Sequence, residues 1–187
     1  MRKIVLTFGL IAGAILSVVM FVSMVFFHDQ IGFESGGYIV GYASMVVAFL
    51  MVYFGVRSYR DNVAGGRVGF GRAFGVGLLI ALVASVCYVA TWEVIYHQFM
   101  PDFSDKYAAY ELKKARESGA SEDAIAAQTR KLAQFKEMYS NPVYNVGLTF
   151  LEPLPVGLIF TLISAGVLSR KRKEEERPLA GATARQA

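Results

Sequence analysis

Glu152 is the one charged residue in the apolar run Val143–Ser169, and Pro153 and Pro155 follow it closely. On a helix begun at Val143 the acid lies about 14 Å along the axis, near the middle of a bilayer. An ionised carboxylate there costs at least about 2.5–3.5 kcal/mol on insertion scales, so it must be protonated, paired or in contact with water. Each proline withholds a backbone N–H: Pro155 frees the carbonyl of Leu151, and Pro153 frees that of Thr149. Free carbonyls beside a carboxylate make a polar spot in hydrocarbon. Two chemistries fit it. One is a proton or cation site; the other is a kink whose neutral acid is hydrogen-bonded to a neighbouring span.

Other groups fit chemistry less well. Glu93 and His97 stand at i, i+4 and could ligate from one helix turn, and His28, Asp29 and Glu34 share a nearby loop. None of these has the spacing of a zinc site, and no metal is expected. The run Gly65–Gly75 is glycine-rich, but Phe74 stands where a dinucleotide fingerprint needs its last Gly. Arg72 and Ala73 stand where a phosphate-binding loop needs Lys and then Ser or Thr. The run reads instead as a flexible turn with arginines at the phosphate level and Phe70 and Phe74 at the interface. Arg57, Arg60, Arg67 and Arg72, with the later cluster Arg170, Lys171, Arg172 and Lys173, are candidate lipid-headgroup contacts. Cys87 is the single cysteine, which excludes an intramolecular disulfide and suits helix packing. No Ser/His/Asp set has usable spacing. No catalytic residue and no cofactor are expected.

The elements that position these residues follow from composition. The chain has 187 residues, 55% hydrophobic and 18% charged, which excludes both an ordinary soluble domain and a disordered chain. Its apolar residues clump into Ile4–Phe27, Gly36–Val56, Ala73–Trp92 and Val143–Ser169, each of spanning length. The first run exceeds a signal-peptide core and lacks a small-x-small site before His28, so it is expected to stay uncleaved. Arg2, Lys3, the four arginines of 57–72 and the C-terminal basic residues flank span ends on one side. The segment 93–142 balances seven basic residues against eight acids. The positive-inside rule then puts both termini in the cytoplasm and 93–142 outside. The fold expected is all-α: one four-span membrane domain over 1–173, with a helical hairpin over 102–140 between spans three and four. A disordered cytoplasmic tail follows over 174–187.

Within the hairpin, Ser104 is expected to cap a helix running to Ser118, with Gly119 as a left-handed C-cap. Ser121 caps the next, whose first turn carries Glu122 and Asp123, and Asn141–Pro142 stops it. Trp92, Tyr96 and Phe99 read as an interfacial aromatic belt. Gly9, Gly13 and Ser17, Gly37 and Gly41, and Gly77, Ala81 and Ser85 form small-residue stripes suited to close helix approach. These stripes serve packing within the bundle, and a stripe left over predicts a homodimer.

The runs Gly41-Tyr42-Ala43-Ser44-Met45, Phe54-Gly55-Val56-Arg57-Ser58-Tyr59-Arg60-Asp61 and Gly65-Gly66-Arg67-Val68-Gly69-Phe70-Gly71-Arg72-Ala73-Phe74 resemble a bacterial inner-membrane family catalogued as domain of unknown function 4199. Met100-Pro101-Asp102-Phe103 and the stretch from Glu152-Pro153 through Gly157 to Ala165 are similar too, and the resemblance covers roughly Ile4–Lys173. It implies four spans with the same loop pattern, and it implies no activity. The function expected is that of a non-enzymatic accessory or scaffold protein of the envelope. The alternative is a small oligomeric proton- or ion-coupled transport component using Glu152. Expected partners are membrane lipids, a second copy, and an envelope protein at the hairpin; nucleic acid is not among them.

Overall fold

The computed structural model describes residues 1–26 and 35–169. Among these, seven α-helices follow in chain order: α1 (Arg2–Phe26), α2 (Ser35–Asn62), α3 (Phe70–Val94), α4 (Phe103–Glu117), α5 (Glu122–Tyr139), α6 (Pro142–Leu151) and α7 (Pro153–Leu168). A five-residue π-helix, Ile95–Phe99, extends α3. Four stretches are long and apolar enough to cross a membrane: Arg2–Phe26, Gly37–Asn62, Phe70–Phe99 and Pro142–Leu168. They mark a multi-pass membrane protein. The loop residues His28, Asp29 and Glu34, the cluster Arg170–Lys173 and the segment 174–187 lie outside the described residues.

Two spans run further than the apolar runs alone predict. The second continues past Val56 because Arg57 and Arg60 both reach Asp61 along the helix, at 3.7 and 2.7 Å. Gly65 and Gly66, at φ of +68° and +85°, then reverse the chain in a conformation that a side chain would strain. The third span reaches Phe99 because the backbone widens to i→i+5 bonding, Met100 N–H donating to the Ile95 carbonyl at 2.9 Å.

Round the bundle the order is α1, α3, α7, α2, with α2 and α3 also meeting across the diagonal. Glycines set the closest approaches. A Cβ on Gly9 would fall 2.7 Å from Val83 Cβ, and one on Gly13 would fall 2.6 Å from Cys87 Cβ. The stripe on α1 is therefore spent against α3. A Cβ on Gly77 would fall 3.1 Å from Val52 and Thr161, and one on Gly157 would fall 3.0–3.1 Å from Ala81 and Phe49. These contacts enclose an apolar core in which Leu16, Phe49, Val52, Val56 and Ile80 are fully buried. Gly41 differs, since nothing lies within 4 Å of its added Cβ.

Between the third and fourth spans, α4 and α5 fold back on each other across Gly119, whose φ is +76°. Ser121 Oγ accepts from Ala124 N–H at 3.3 Å, as its N-cap position requires. Tyr107 packs on Phe135 at 5.7 Å and Lys136 pairs with Asp105, closing the seam. The start of α4 differs from expectation. Asp102, not Ser104, is its N-cap residue, and Ser104 Oγ is buried in the first turn without a partner. Phe103 draws that turn inward by packing against Trp92 at 4.8 Å. Asn141 both follows the end of α5 and caps α6, its Oδ1 accepting from Val143 N–H at 2.9 Å with Pro142 in the first helical position.

Candidate functional site

The fourth span breaks at Glu152. α6 ends at Leu151, α7 restarts at Pro153, and Glu152 alone separates them. This is the interruption that two prolines spaced by one residue impose on a helix. Tyr88 of α3 donates its hydroxyl to Glu152 Oε2 at 2.7 Å, tying the break to the neighbouring span. Glu152 stays exposed, because it faces a cavity rather than the core.

That cavity has a volume of about 400 Å³ and lies between α1, α2, α3, α6 and the hairpin. Tyr38, Tyr42, Tyr88, Tyr107 and Tyr139 line it, five of the ten tyrosines in the chain, together with Trp92. Gly41 lines it as well, which explains the open space at that residue. Among the described residues Glu152 is the one charged residue on its wall. α2 supplies one side of the cavity and packs chiefly on α1, α3 and α7, with Tyr38 near its start close to Glu111 and Tyr110 of α4. Tyr38 and Tyr42, on the α2 side of the cavity, are exposed.

A buried polar cluster adjoins the cavity at the hairpin end. Trp92 Nε1–H donates to Asn145 Oδ1 at 3.2 Å, and Asn145 and Trp92 are 2% and 5% exposed. Thr149 Oγ1 reaches the same oxygen at 3.4 Å. Tyr96, Phe103, Phe135 and Tyr139 pack around Trp92 and one another with ring centroids 4.8–6.5 Å apart. Burial pushes the Tyr139 hydroxyl up to about 12, so it remains a neutral donor and acceptor. Trp92 is thus no part of an interfacial belt: α6 supplies a partner for its N–H and the hairpin covers its ring. Only Phe99 of the expected trio has its ring half in the open, at 49% exposure, against Phe21.

The remaining candidates are placed apart from this cavity. Glu93 and His97 pair at 3.3 Å, and among the described residues no third ligand-type side chain joins them. Arg57, Arg60, Arg67 and Arg72 gather at the far end of the bundle, where α2 ends and α3 begins. Arg57 also borders a shallow groove of about 380 Å³ with Phe8, Met51 and Phe54. Cys87 packs over Gly13.

Sequence reasoning found Glu152 and missed its setting. Asn145 carried a usable signal, as the one Asn within Val143–Ser169, since a buried amide in a span needs a partner. Tyr38 and Tyr42, one helix turn apart, carried another.

Comparisons with curated proteins and with solved structures each return no match. Residues 7–170, which hold the four spans save residues 2–6, the hairpin and the described lining of the cavity, match the family described as Protein of unknown function (DUF4199), and the chain belongs to that family.

Proposed function

We propose that this chain is a non-enzymatic accessory protein of the bacterial inner membrane that holds a small amphipathic molecule between its spans and its hairpin. One observation carries the reading: a cavity of about 400 Å³ walled by aromatic and apolar side chains, with few polar groups. Pockets of that size and lining are what drug-sized molecules occupy. A photoactivatable diazirine amphiphile, illuminated with the protein in lipid nanodiscs, should label cavity residues such as Tyr42 and Tyr107. Gly41→Phe adds a ring where nothing else lies, so it should remove that labelling and leave the melting temperature unchanged. Labelling spread over the lipid-facing surface and indifferent to Gly41→Phe would overturn the reading.

The same reading sets the protein in the membrane. Arg2, Lys3 and the four arginines of 57–72 share one end of the bundle, which by the positive-inside rule is cytoplasmic, where they meet lipid phosphates. The hairpin then lies on the outer face, where it offers a contact for an envelope protein. Alkaline phosphatase inserted at Gly119 should be active, and the same enzyme fused after Ala187 inactive. The reverse pattern refutes this orientation.

A second reading, a proton- or ion-coupled transport component, is favoured by the broken helix at Glu152 and by its place on the cavity wall. Against it stands the packing beyond the cavity. Phe49, Val52, Val56 and Ile80, between Glu152 and the far end, are fully buried and apolar. The buried hydroxyls of Thr161 and Ser164 stand among them, but among the described residues no buried charged side chain does.

A further inference from the structure

We infer that the molecule held in the cavity is an amphipathic organic cation, with Glu152 as its counter-ion and the ring of tyrosines as its cage. The inference rests on the binding role proposed above and names the ligand class.

Charge complementarity is the first ground. Among the described residues Glu152 is the sole charged one on the cavity wall, and no basic side chain lines it. An acidic wall in low-dielectric surroundings favours a positive partner and repels an anion. Tyr88 occupies Oε2, and a carboxylate has further lone pairs for a ligand.

The lining is the second ground. Tyr38, Tyr42, Tyr88, Tyr107, Tyr139 and Trp92 surround the space, and aromatic faces attract cations whose hydration is already weak. Such cages recognise alkylated ammonium groups. A bare metal ion needs several strong ligands at close range, and among the described residues no group of three His, Cys, Asp or Glu side chains gathers to hold one. A cavity of about 400 Å³ is also far larger than such an ion.

Access is the third ground. Glu152 is exposed, and Tyr38 and Tyr42 are 55% and 57% exposed. All three belong to stretches long and apolar enough to span a membrane. A ligand that partitions into lipid, with an apolar body and a shielded charge, can reach the site past these side chains.

Trp92 is the only tryptophan and lines the cavity, so its fluorescence reports the site directly. The test uses full-length protein in nanodiscs of zwitterionic lipid and three probes: tetraphenylphosphonium, neutral triphenylphosphine oxide and anionic tetraphenylborate. The cation should give a saturable change and bind at least about ten-fold more tightly than the neutral probe, with the anion weakest. Glu152→Gln should bring the cation down to the affinity of the neutral probe. It should leave the neutral probe unaffected and the Trp92 emission maximum in place, which shows the fold is retained. Gly41→Phe should abolish both responses. Equal affinity for cation and neutral probe, or a cation affinity untouched by Glu152→Gln, overturns the cation assignment and leaves the binding role standing. No saturable response to any probe overturns both.

Discussion

Replacing Gly13 with leucine should break the bundle, whereas the same change at Gly41 should pass almost unnoticed. A Cβ at Gly13 would lie 2.6 Å from Cys87 Cβ and 2.8 Å from Cys87 Sγ, with Ala84 Cα at 3.5 Å. A Cβ cannot rotate away, so α1 and α3 must move apart. The Gly9–Val83 contact goes with them, as does the 2.7 Å bond from Thr91 to Ser17. Overpacking of a close core contact costs about 1–3 kcal/mol, and a whole side chain inserted at a glycine contact belongs at the top of that range or above it. Gly41→Leu meets nothing within 4 Å and should shift stability by no more than about 0.5 kcal/mol. Thermal unfolding in detergent gives the stabilities, and Cys87, the single thiol, gives an independent readout. Maleimide should modify it faster in Gly13→Leu, because the helix that covers it has been displaced. Equal stability of the two variants would show that α1 and α3 do not meet through Gly13.

This pair of variants also bears on the homodimer expected from the small-residue stripes. Four-residue spacing of Gly and Ser marks a face that packs closely, but it carries no information on what packs there. On α1 that partner is α3 of the same chain, so a second copy has to use another face. On α2, Gly41 meets no other helix of its own chain and lines the cavity. Identical sequence signals have different outcomes because only the arrangement of all four spans decides which glycine is covered.

The spans themselves were legible because membrane insertion imposes length and apolarity on a contiguous run. Glu152 was legible for the same reason, as an exception that hydrocarbon does not tolerate without a partner. The left-handed Gly119 and the Ser121 cap follow from local backbone chemistry and needed no tertiary knowledge. Trp92 was misread because its neighbourhood to Tyr96 and Phe99 in the chain suggests a belt, while its actual partners, Asn145 and Phe103, are distant in sequence. Ser104 was misread because a residue of capping type is also tolerated within the first turn of a helix. The cavity was beyond reach altogether, since its wall draws on helices from Leu16 to Glu152.

Glu152 separates the two functional readings through a pair of variants with opposite expectations. Tyr88 donates to Glu152 Oε2 at 2.7 Å, and glutamine keeps an oxygen able to accept that bond. Glu152→Gln should therefore stay within about 0.5 kcal/mol of the parent in stability, while Glu152→Leu strands the Tyr88 hydroxyl and loses about 1–2 kcal/mol. Leucine also brings no charge to desolvate, so a net gain in Glu152→Leu would mean the bond to Tyr88 is worth little. Proton flux into reconstituted vesicles supplies the second measurement. A coupling carboxylate must bind and release a proton during each cycle, which glutamine cannot do, so a transport component loses its flux completely in Glu152→Gln. An accessory protein shows no flux above empty vesicles in either the parent or the variant. The packed apolar layer of Phe49, Val52, Val56 and Ile80 is the structural reason to expect the second result. Beyond the cavity that layer holds the buried hydroxyls of Thr161 and Ser164 but, among the described residues, no buried charged side chain to relay a proton. Flux in the parent protein that disappears in Glu152→Gln would require the layer to open, and would replace the accessory reading with the transport one.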